Sequence, residues 1–416
     1  MKVLWFSNTP ANADEYFNNE LNGSGGWLQA LDQSLQNHVE LHIAFFDQHK
    51  EVFRYKNATY YPIPINQGIL KRAIQRFFNF SSEKRKLSIF LDIIEQVKPD
   101  IIHIQGTENL FTEILPHTEV PVVISIQGII TVVRHKYCSG FENHFLHRPD
   151  RKAISIKSLL FPYSFHVEYR KFGPMQKRET KNLKLAKNII GRTSWDNRVS
   201  RILAPNSTYY HGDEILRDAF YQHQWKPHFS DKIIIHTTNS NTFYKGFETL
   251  CMALNLLNSM GIQCVWQVAG IASENLIVKV TKEKLKKDFP QKGLLLMGHL
   301  NQSTLIEAML RADLYVMTSH IDNSPNGLCE AMILGLPVIS TFVGGVGSLM
   351  KDREEGMLIQ DGDPWAMAGA ILEIWNNRER AIQFGQNARK IALIRHNKER
   401  IVSDLINVYE NILKTR

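Results

Sequence analysis

The sequence predicts an α/β protein made of two doubly wound, parallel-sheet domains, and three observations lead there. Short apolar runs, of the length of strands buried on both faces, alternate with stretches of helical periodicity along the chain. At 416 residues the chain is too long for a single hydrophobic core, so two domains are expected. The run from Leu314 to Thr341 reads as strand, polar loop, helix, strand. That is one right-handed βαβ unit, with its loop at the carboxyl end of the first strand, where open α/β sheets place ligands.

The first strand is Val3 to Ser7. After a polar loop comes NGSGGW, in which Gly25 and Gly26 open a helix from about Trp27 to Gln36. A glycine loop between strand and helix lets a backbone approach a ligand closely. It is not a dinucleotide fingerprint, because Leu28 stands where the pattern from Gly23 needs glycine. A strand from Val39 to Phe46, a hairpin-like stretch through Tyr60 and Pro64, and a helix-rich segment from about Leu70 to Val97 follow. Strands from Ile101 to Ile104 and from Pro121 to Ile126 continue the parallel pattern, the second ending in Gln127-Gly128. A helical run from Pro174 to Ala186 precedes the strand Asn188 to Gly191, at whose end Arg192 stands. The stretch from Ala204 to Ser230 carries Pro205, Gly212 and Pro227 without a sustained apolar period and reads as a linker.

Lys232 to Thr237 open the second domain. Lys245-Gly246 then sit at the mouth of a helix marked by Phe247, Leu250, Leu254 and Leu257. Strands from Cys264 to Ala269 and from Leu294 to Met297 alternate with helices. The helix after Thr304 is expected to start on a capping box with Glu307. Strand Leu314 to Met317 leads into the loop His320 to Asn326 and a helix from about Gly327 to Leu334, stopped by Gly335 and Pro337. The N–H groups near Gly327 and Leu328 carry about half a positive charge, which suits a phosphate. Glu330, in the first turn, is expected to face solvent in a cleft, where ribose hydroxyls would suit it. Asp361-Gly362-Asp363 mimics a D-x-D metal motif, but Asp363 precedes Pro364 and an apolar period, and so reads as an N-cap with proline at N1. The last helix runs from Lys398 to Leu413.

The loop DNSPNGLCEAM, with acids eight positions apart at Asp322 and Glu330, resembles the retaining GT-B glycosyltransferases of family four, glycosyl transferases group 1. The following GLPVIS run and the Gly344-Gly345 turn belong to the same resemblance. It covers the second half of the chain, while the first half matches in outline. The resemblance implies two Rossmann-like domains facing across a cleft: residues 1–212 on the acceptor side and 213–397 binding the nucleotide-sugar. Residues 398–416 would form a helix that returns to the first domain. Glu330 would bind the donor ribose, the backbone of Ser324, Asn326, Gly327 and Leu328 would hold the pyrophosphate, and Asp322 would touch the transferred sugar. Lys245 would meet the leaving phosphate, Gly25 and Gly26 the donor phosphate or acceptor, Arg192 either the donor or a structural ion-pair partner, and Gln127, Gly344 and Gly345 the sugar or acceptor.

Three positions depart from the family pattern. Asp322 stands where Glu is usual, Gln127 where His is usual, and Ser240 where an Arg usually partners the Lys. Glutamine cannot shuttle a proton but can bond a sugar hydroxyl. The implied activity is retaining transfer from a UDP- or GDP-sugar to a hydroxyl of a saccharide or lipid-linked acceptor, in cell-surface glycan synthesis. Lys245, Asp322 and Glu330 would be the catalytic residues, and no metal or cofactor is expected. A GT-B epimerase, a phosphorylase or a non-catalytic sugar-nucleotide binder would share this architecture.

The net charge of +8 is concentrated in residues 134–188, where 13 Lys and Arg stand against 4 Asp and Glu. Leu159, Leu160, Phe161, Tyr163, Phe165, Tyr169 and Phe172 interleave those bases. The segment reads either as a solvated face over a core or as a surface resting on an anionic membrane. A nucleic-acid partner would leave the Asp322–Glu330 loop unexplained, and none is expected. No apolar run approaches the ~20 residues that cross a bilayer. The N-terminus reads as a strand and not a signal peptide. Cys138, Cys251, Cys264 and Cys329 lack metal or redox spacing and read as reduced thiols in a cytoplasmic protein.

Overall fold

The computed structural model describes residues 1–17, 26–64, 79–141 and 165–415. The first elements in chain order are β1 (Lys2–Ser7), α1 (Ala13–Tyr16), α2 (Gly26–Leu35), β2 (Glu40–Asp47), β3 (Phe53–Tyr55), β4 (Ala58–Pro64) and α3 (Asn79–Val97). They continue as β5 (Ile101–Gln105), β6 (Val122–Ser125), α4 (Ile130–Lys136), α5 (Phe165–Leu183), β7 (Asn188–Gly191), α6 (Ser194–Leu203) and β8 (Thr208–His211). Next come α7 (Asp218–Gln222), β9 (Ile233–Thr238), α8 (Phe247–Ser259), β10 (Cys264–Ala269), α9 (Leu276–Leu285), β11 (Leu294–Gly298) and α10 (Gln302–Leu310). The chain ends with β12 (Leu314–Met317), α11 (Asn326–Leu334), β13 (Val338–Thr341), β14 (Met357–Ile359), α12 (Pro364–Asn376), α13 (Arg378–Arg395) and α14 (Lys398–Lys414).

The described residues divide into two compact units. One holds Met1–Ile130, Met175–Arg217 and His396–Arg416, and the other holds Thr131–Pro174 and Asp218–Arg395. The sequence expectation kept the basic segment 134–188 in the first domain. In the structure, Tyr137 and Phe141 are instead buried in the core of the second unit, where both rings meet Phe243 and Tyr137 also meets Phe172. Residues 142–164 of that segment, including Leu159, Leu160, Phe161 and Tyr163, lie outside the described residues, as does Gly25.

The first unit is built on an eight-stranded sheet of order β3-β4-β2-β1-β5-β6-β7-β8, parallel except for the β3–β4 hairpin. Val3, Leu4, Trp5 and Phe6 of the central β1 are fully buried, as expected for a parallel sheet covered on both faces. The chain passes from β1 to β2 on one side, while β5 lies on the other, so the strand order reverses between β1 and β5. α14 packs on this unit through Tyr409. Its hydroxyl accepts from Trp5 Nε1 at 3.2 Å and donates to His103 Nδ1 at 2.7 Å, which leaves His103 Nε2–H to donate to Ser125 Oγ at 2.6 Å. Burial drives the His103 pKa down to about 3, so the ring stays neutral.

The second unit carries a six-stranded, wholly parallel sheet of order β11-β10-β9-β12-β13-β14. Its strand order reverses between β9 and β12. The apolar positions read as a helix face, Phe247, Leu250, Leu254 and Leu257, are all fully buried in its core. Asp363 caps α12 by accepting from the Ala366 N–H at 2.9 Å, with Pro364 at N1.

Two local expectations are corrected. The stretch read as a linker contains β8, which pairs in parallel with β7, and Trp225, whose indole N–H donates to the Ala312 carbonyl at 2.8 Å. The strand Thr-Tyr-Tyr-His lies at the sheet edge and has no buried residue, so it carries no apolar run to betray it. α10 starts before Thr304, because Asn301 Oδ1 already accepts from the Thr304 N–H at 2.9 Å and acts as the cap. Among the described residues no helix is long and apolar enough to cross a membrane.

Candidate functional site

The switch point of the second sheet is bounded by the loop after β9 and the loop after β12, which supply Lys245 and Asp322, while Glu330 comes from the helix that follows. The β9 loop ends in a short turn, Phe243–Lys245, followed by Gly246 at φ +70°. A Cβ at Gly246 would collide with the Thr318 carbonyl oxygen, so only glycine lets this loop press onto the β12 loop. The two loops are joined by hydrogen bonds. Thr318 Oγ1 donates to the Lys245 carbonyl at 2.8 Å and the His320 N–H to the Tyr244 carbonyl at 2.7 Å, while within the β9 loop Asn239 Nδ2 also donates to the Lys245 carbonyl, at 3.3 Å.

The ion pair follows from this frame. Lys245 Nζ lies 2.6 Å from Asp322 Oδ2, both side chains being largely buried. Ser319 Oγ donates to the same oxygen at 3.2 Å, and the Gly345 N–H donates to the Asp322 carbonyl at 3.0 Å. The structure thus brings together Lys245, Asp322 and the Gly344-Gly345 turn. Burial alone would lower the Lys245 pKa, but the Asp322 carboxylate and Tyr244 outweigh it and raise the pKa. Lys245 is therefore a fixed cation.

α11 starts beside this pair with Pro325 at its N-cap and no side-chain cap. The Leu328 N–H is engaged by the Pro325 carbonyl at 3.0 Å. This closes the first turn and leaves Asn326 and Gly327 as the N–H groups at the helix mouth, ahead of any intrahelical acceptor. Asn326 Oδ1 is buried and, among the described residues, accepts no hydrogen bond. Ser324 is also buried. Glu330 is 4% exposed, which corrects the expectation that it faces solvent. It lies in the second turn of α11, and its charge adds to burial in holding the Tyr315 phenol protonated.

The other predicted residues belong to the first unit. Gly26 opens α2 against the aliphatic part of Arg217. The guanidinium of Arg192 stacks 5.0 Å over the Trp27 ring and makes a buried ion pair with Glu214 at 2.5 Å. Gln127 is partly exposed at the end of β6. The neighbouring Gly128 N–H donates to Glu108 Oε1 at 3.2 Å.

Sequence reasoning missed two groups. Glu108 stands at the switch point of the first sheet, where Asn8 Nδ2 donates to its Oε2 at 2.9 Å and where burial raises its pKa. Its position just after β5, beside the end of β1, was the available signal. The second group is His320, with Glu248 and Asp361 on its two ring nitrogens. Nothing in their spacing, 248, 320 and 361, announces that they meet. Among the described residues no group of three or more His, Cys, Asp or Glu is placed to hold a metal ion.

Residues 221–391 match the family model described as glycosyl transferases group 1. N-acetyl-alpha-D-glucosaminyl L-malate synthase of Bacillus anthracis is 27% identical over 113 residues, 27% of this chain and 30% of that enzyme. The match thus spans less than a third of the relative's length. Among solved structures, sucrose-phosphate synthase of Thermosynechococcus elongatus superposes with a TM-score of 0.72 at 14% identity, covering 100% of this chain and 99% of that one. Anabaena HepE in complex with UDP and glucose superposes with a TM-score of 0.66 at 13% identity over 99% of each chain. At such identities these structures establish the shared fold.

Proposed function

Since the chain carries a glycosyl transferases group 1 domain over residues 221–391, we propose that it is a retaining glycosyltransferase using a nucleotide-sugar donor and a saccharide or lipid-linked acceptor. The observation that carries this reading is the Lys245–Asp322 ion pair, seated at a sheet switch point beside the uncapped start of α11. That combination supplies a fixed cation and helix N–H groups to a diphosphate, with Glu330 one turn further along the same helix.

In this mechanism the donor diphosphate takes Lys245 from Asp322. Negative charge grows on the leaving phosphate as the glycosidic bond breaks, and Lys245 with the Asn326 and Gly327 amides stabilises it. The acceptor hydroxyl attacks the same face, and the leaving phosphate receives its proton. Asp322, freed from Lys245, is then available to a hydroxyl of the transferred sugar, and Glu330 to the donor ribose.

A thermal-shift screen against UDP, GDP and their sugars tests the donor. A nucleotide at a hundred times its dissociation constant should stabilise the protein by roughly 2.7 kcal/mol. With the donor identified, release of nucleoside diphosphate only in the presence of an acceptor saccharide supports transfer. Release at the same rate without acceptor would sink it.

A further inference from the structure

We propose that His320 is a positioning residue of the diphosphate site: its doubly protonated ring clamps the start of α8 and the loop after β14 onto the Asp322 loop, and so holds Lys245 in place. The proposal rests on the glycosyltransferase reading above and adds to it a residue that the motif does not contain.

His320 precedes Asp322 by two residues, and its side chain is 1% exposed. Nε2 lies 2.6 Å from Glu248 Oε1, and Nδ1 lies 3.3 Å from Asp361 Oδ2. Both ring nitrogens face carboxylate oxygens, which only accept. A neutral imidazole could serve one of them and would turn a lone pair on the other. Glu248 stands three residues after Lys245, in the first turn of α8. Besides the hydrogen bonds to backbone carbonyls described above, two side-chain ion pairs therefore tie the two sides of the switch point together, Lys245–Asp322 and, deeper, His320–Glu248. Asp361 adds a third element, at the end of β14.

The surroundings favour the charged ring. Thr249 Oγ1 donates to Glu248 Oε1 at 3.0 Å, and the positive charge of Lys136 on α4 acts on Asp361. Gly140, at φ +83°, passes so close that a Cβ would collide with both Glu248 and His320. Burial alone would lower the His320 pKa, but the bonds to Asp361 and Glu248 lift it to about 9. The clamp is thus complete below the ordinary histidine range and is lost as pH rises through about 9. Lys245, whose own pKa is raised, stays charged across that window.

The experiment pairs nitrogen NMR of the parent's imidazoles with calorimetric titration of UDP, or of GDP if the screen selects it, across about pH 7–10. Both ring nitrogens of His320 should carry protons near neutral pH and titrate near 9. His320→Gln should bind the nucleotide roughly five- to tenfold more weakly near neutral pH, the equivalent of one ordinary net hydrogen bond. It should also lose the affinity drop that the parent shows as pH passes 9. Glu248→Gln should lower the His320 titration toward the ordinary range, and it serves if His320→Gln does not fold. A His320 ring with one proton at neutral pH, or a His320→Gln protein with the parent's affinity and pH profile, overturns the clamp. If the parent binds neither nucleotide, the glycosyltransferase reading fails, while the imidazole spectrum still decides the protonation of His320.

Discussion

Lys245 Nζ stands 2.6 Å from Asp322 Oδ2, so the base and the acid that the sequence motif singles out are bonded to each other before any ligand arrives. In the proposed mechanism a diphosphate displaces that carboxylate. Asp322→Asn removes the competing charge and should therefore tighten binding of the free nucleoside diphosphate by about 1 kcal/mol. Turnover should fall at the same time, because the contact to the transferred sugar weakens. Calorimetry and steady-state kinetics on the same variant check both. Weaker nucleotide binding in Asp322→Asn would mean that the carboxylate does not compete for Lys245.

Glu330 is 4% exposed in the second turn of α11. Glu330→Gln converts a charge-assisted bond to the ribose into a neutral one and should cost about 1–2 kcal/mol of nucleotide affinity. Calorimetry with the nucleoside diphosphate decides it. Equal affinity in variant and parent removes Glu330 from the site.

Tyr409 is the hydroxyl that fixes α14 to the first unit, between Trp5 Nε1 and His103 Nδ1. Tyr409→Phe keeps the packing but strips the buried Trp5 indole N–H of this bond and leaves His103 Nδ1 with Gln105 Nε2. It should lower stability by about 1–3 kcal/mol, read by urea denaturation. No change would mean that the Tyr409 hydroxyl contributes nothing to holding the helix.

Asp32 is fully buried and accepts from Tyr60 Oη at 2.7 Å and the Asn12 N–H at 3.1 Å. Burial lifts its pKa from 3.8 to about 6. The folded state therefore holds the proton more tightly than the unfolded chain, and stability falls as pH rises from 3.8 through 6. Asp32→Asn lacks this slope. Its stability relative to the parent should improve by on the order of 3 kcal/mol between about pH 4 and pH 8, measured by urea denaturation at both. A constant difference across that range would place the ionisation of Asp32 outside the folding equilibrium.

What the sequence disclosed depended on burial. β7, β10 and β12 are short apolar runs covered on both faces, and their limits could be read residue by residue, as could the Asp363 cap. β8 escaped because an edge strand with polar side chains looks like a loop. The tight Asp322–Glu330 spacing marked the loop proposed here to hold the diphosphate, but it gave no hint that Pro325 would already occupy the Leu328 N–H. The His320, Glu248 and Asp361 cluster was invisible for a different reason. Its members come from the start of a helix and from the loops after two different strands, and only the order of the sheet brings them together.

The central claim, that Lys245 carries the charge of the departing diphosphate, is tested most directly by steady-state kinetics of Lys245→Ala with the donor found in the nucleotide screen. Loss of a fixed cation that acts mainly in the transition state should lower turnover by roughly a hundredfold, with a much smaller change in the Michaelis constant for the donor. A variant that keeps the parent's turnover and shows only a raised Michaelis constant would contradict it, and would reduce Lys245 to a ground-state binding contact.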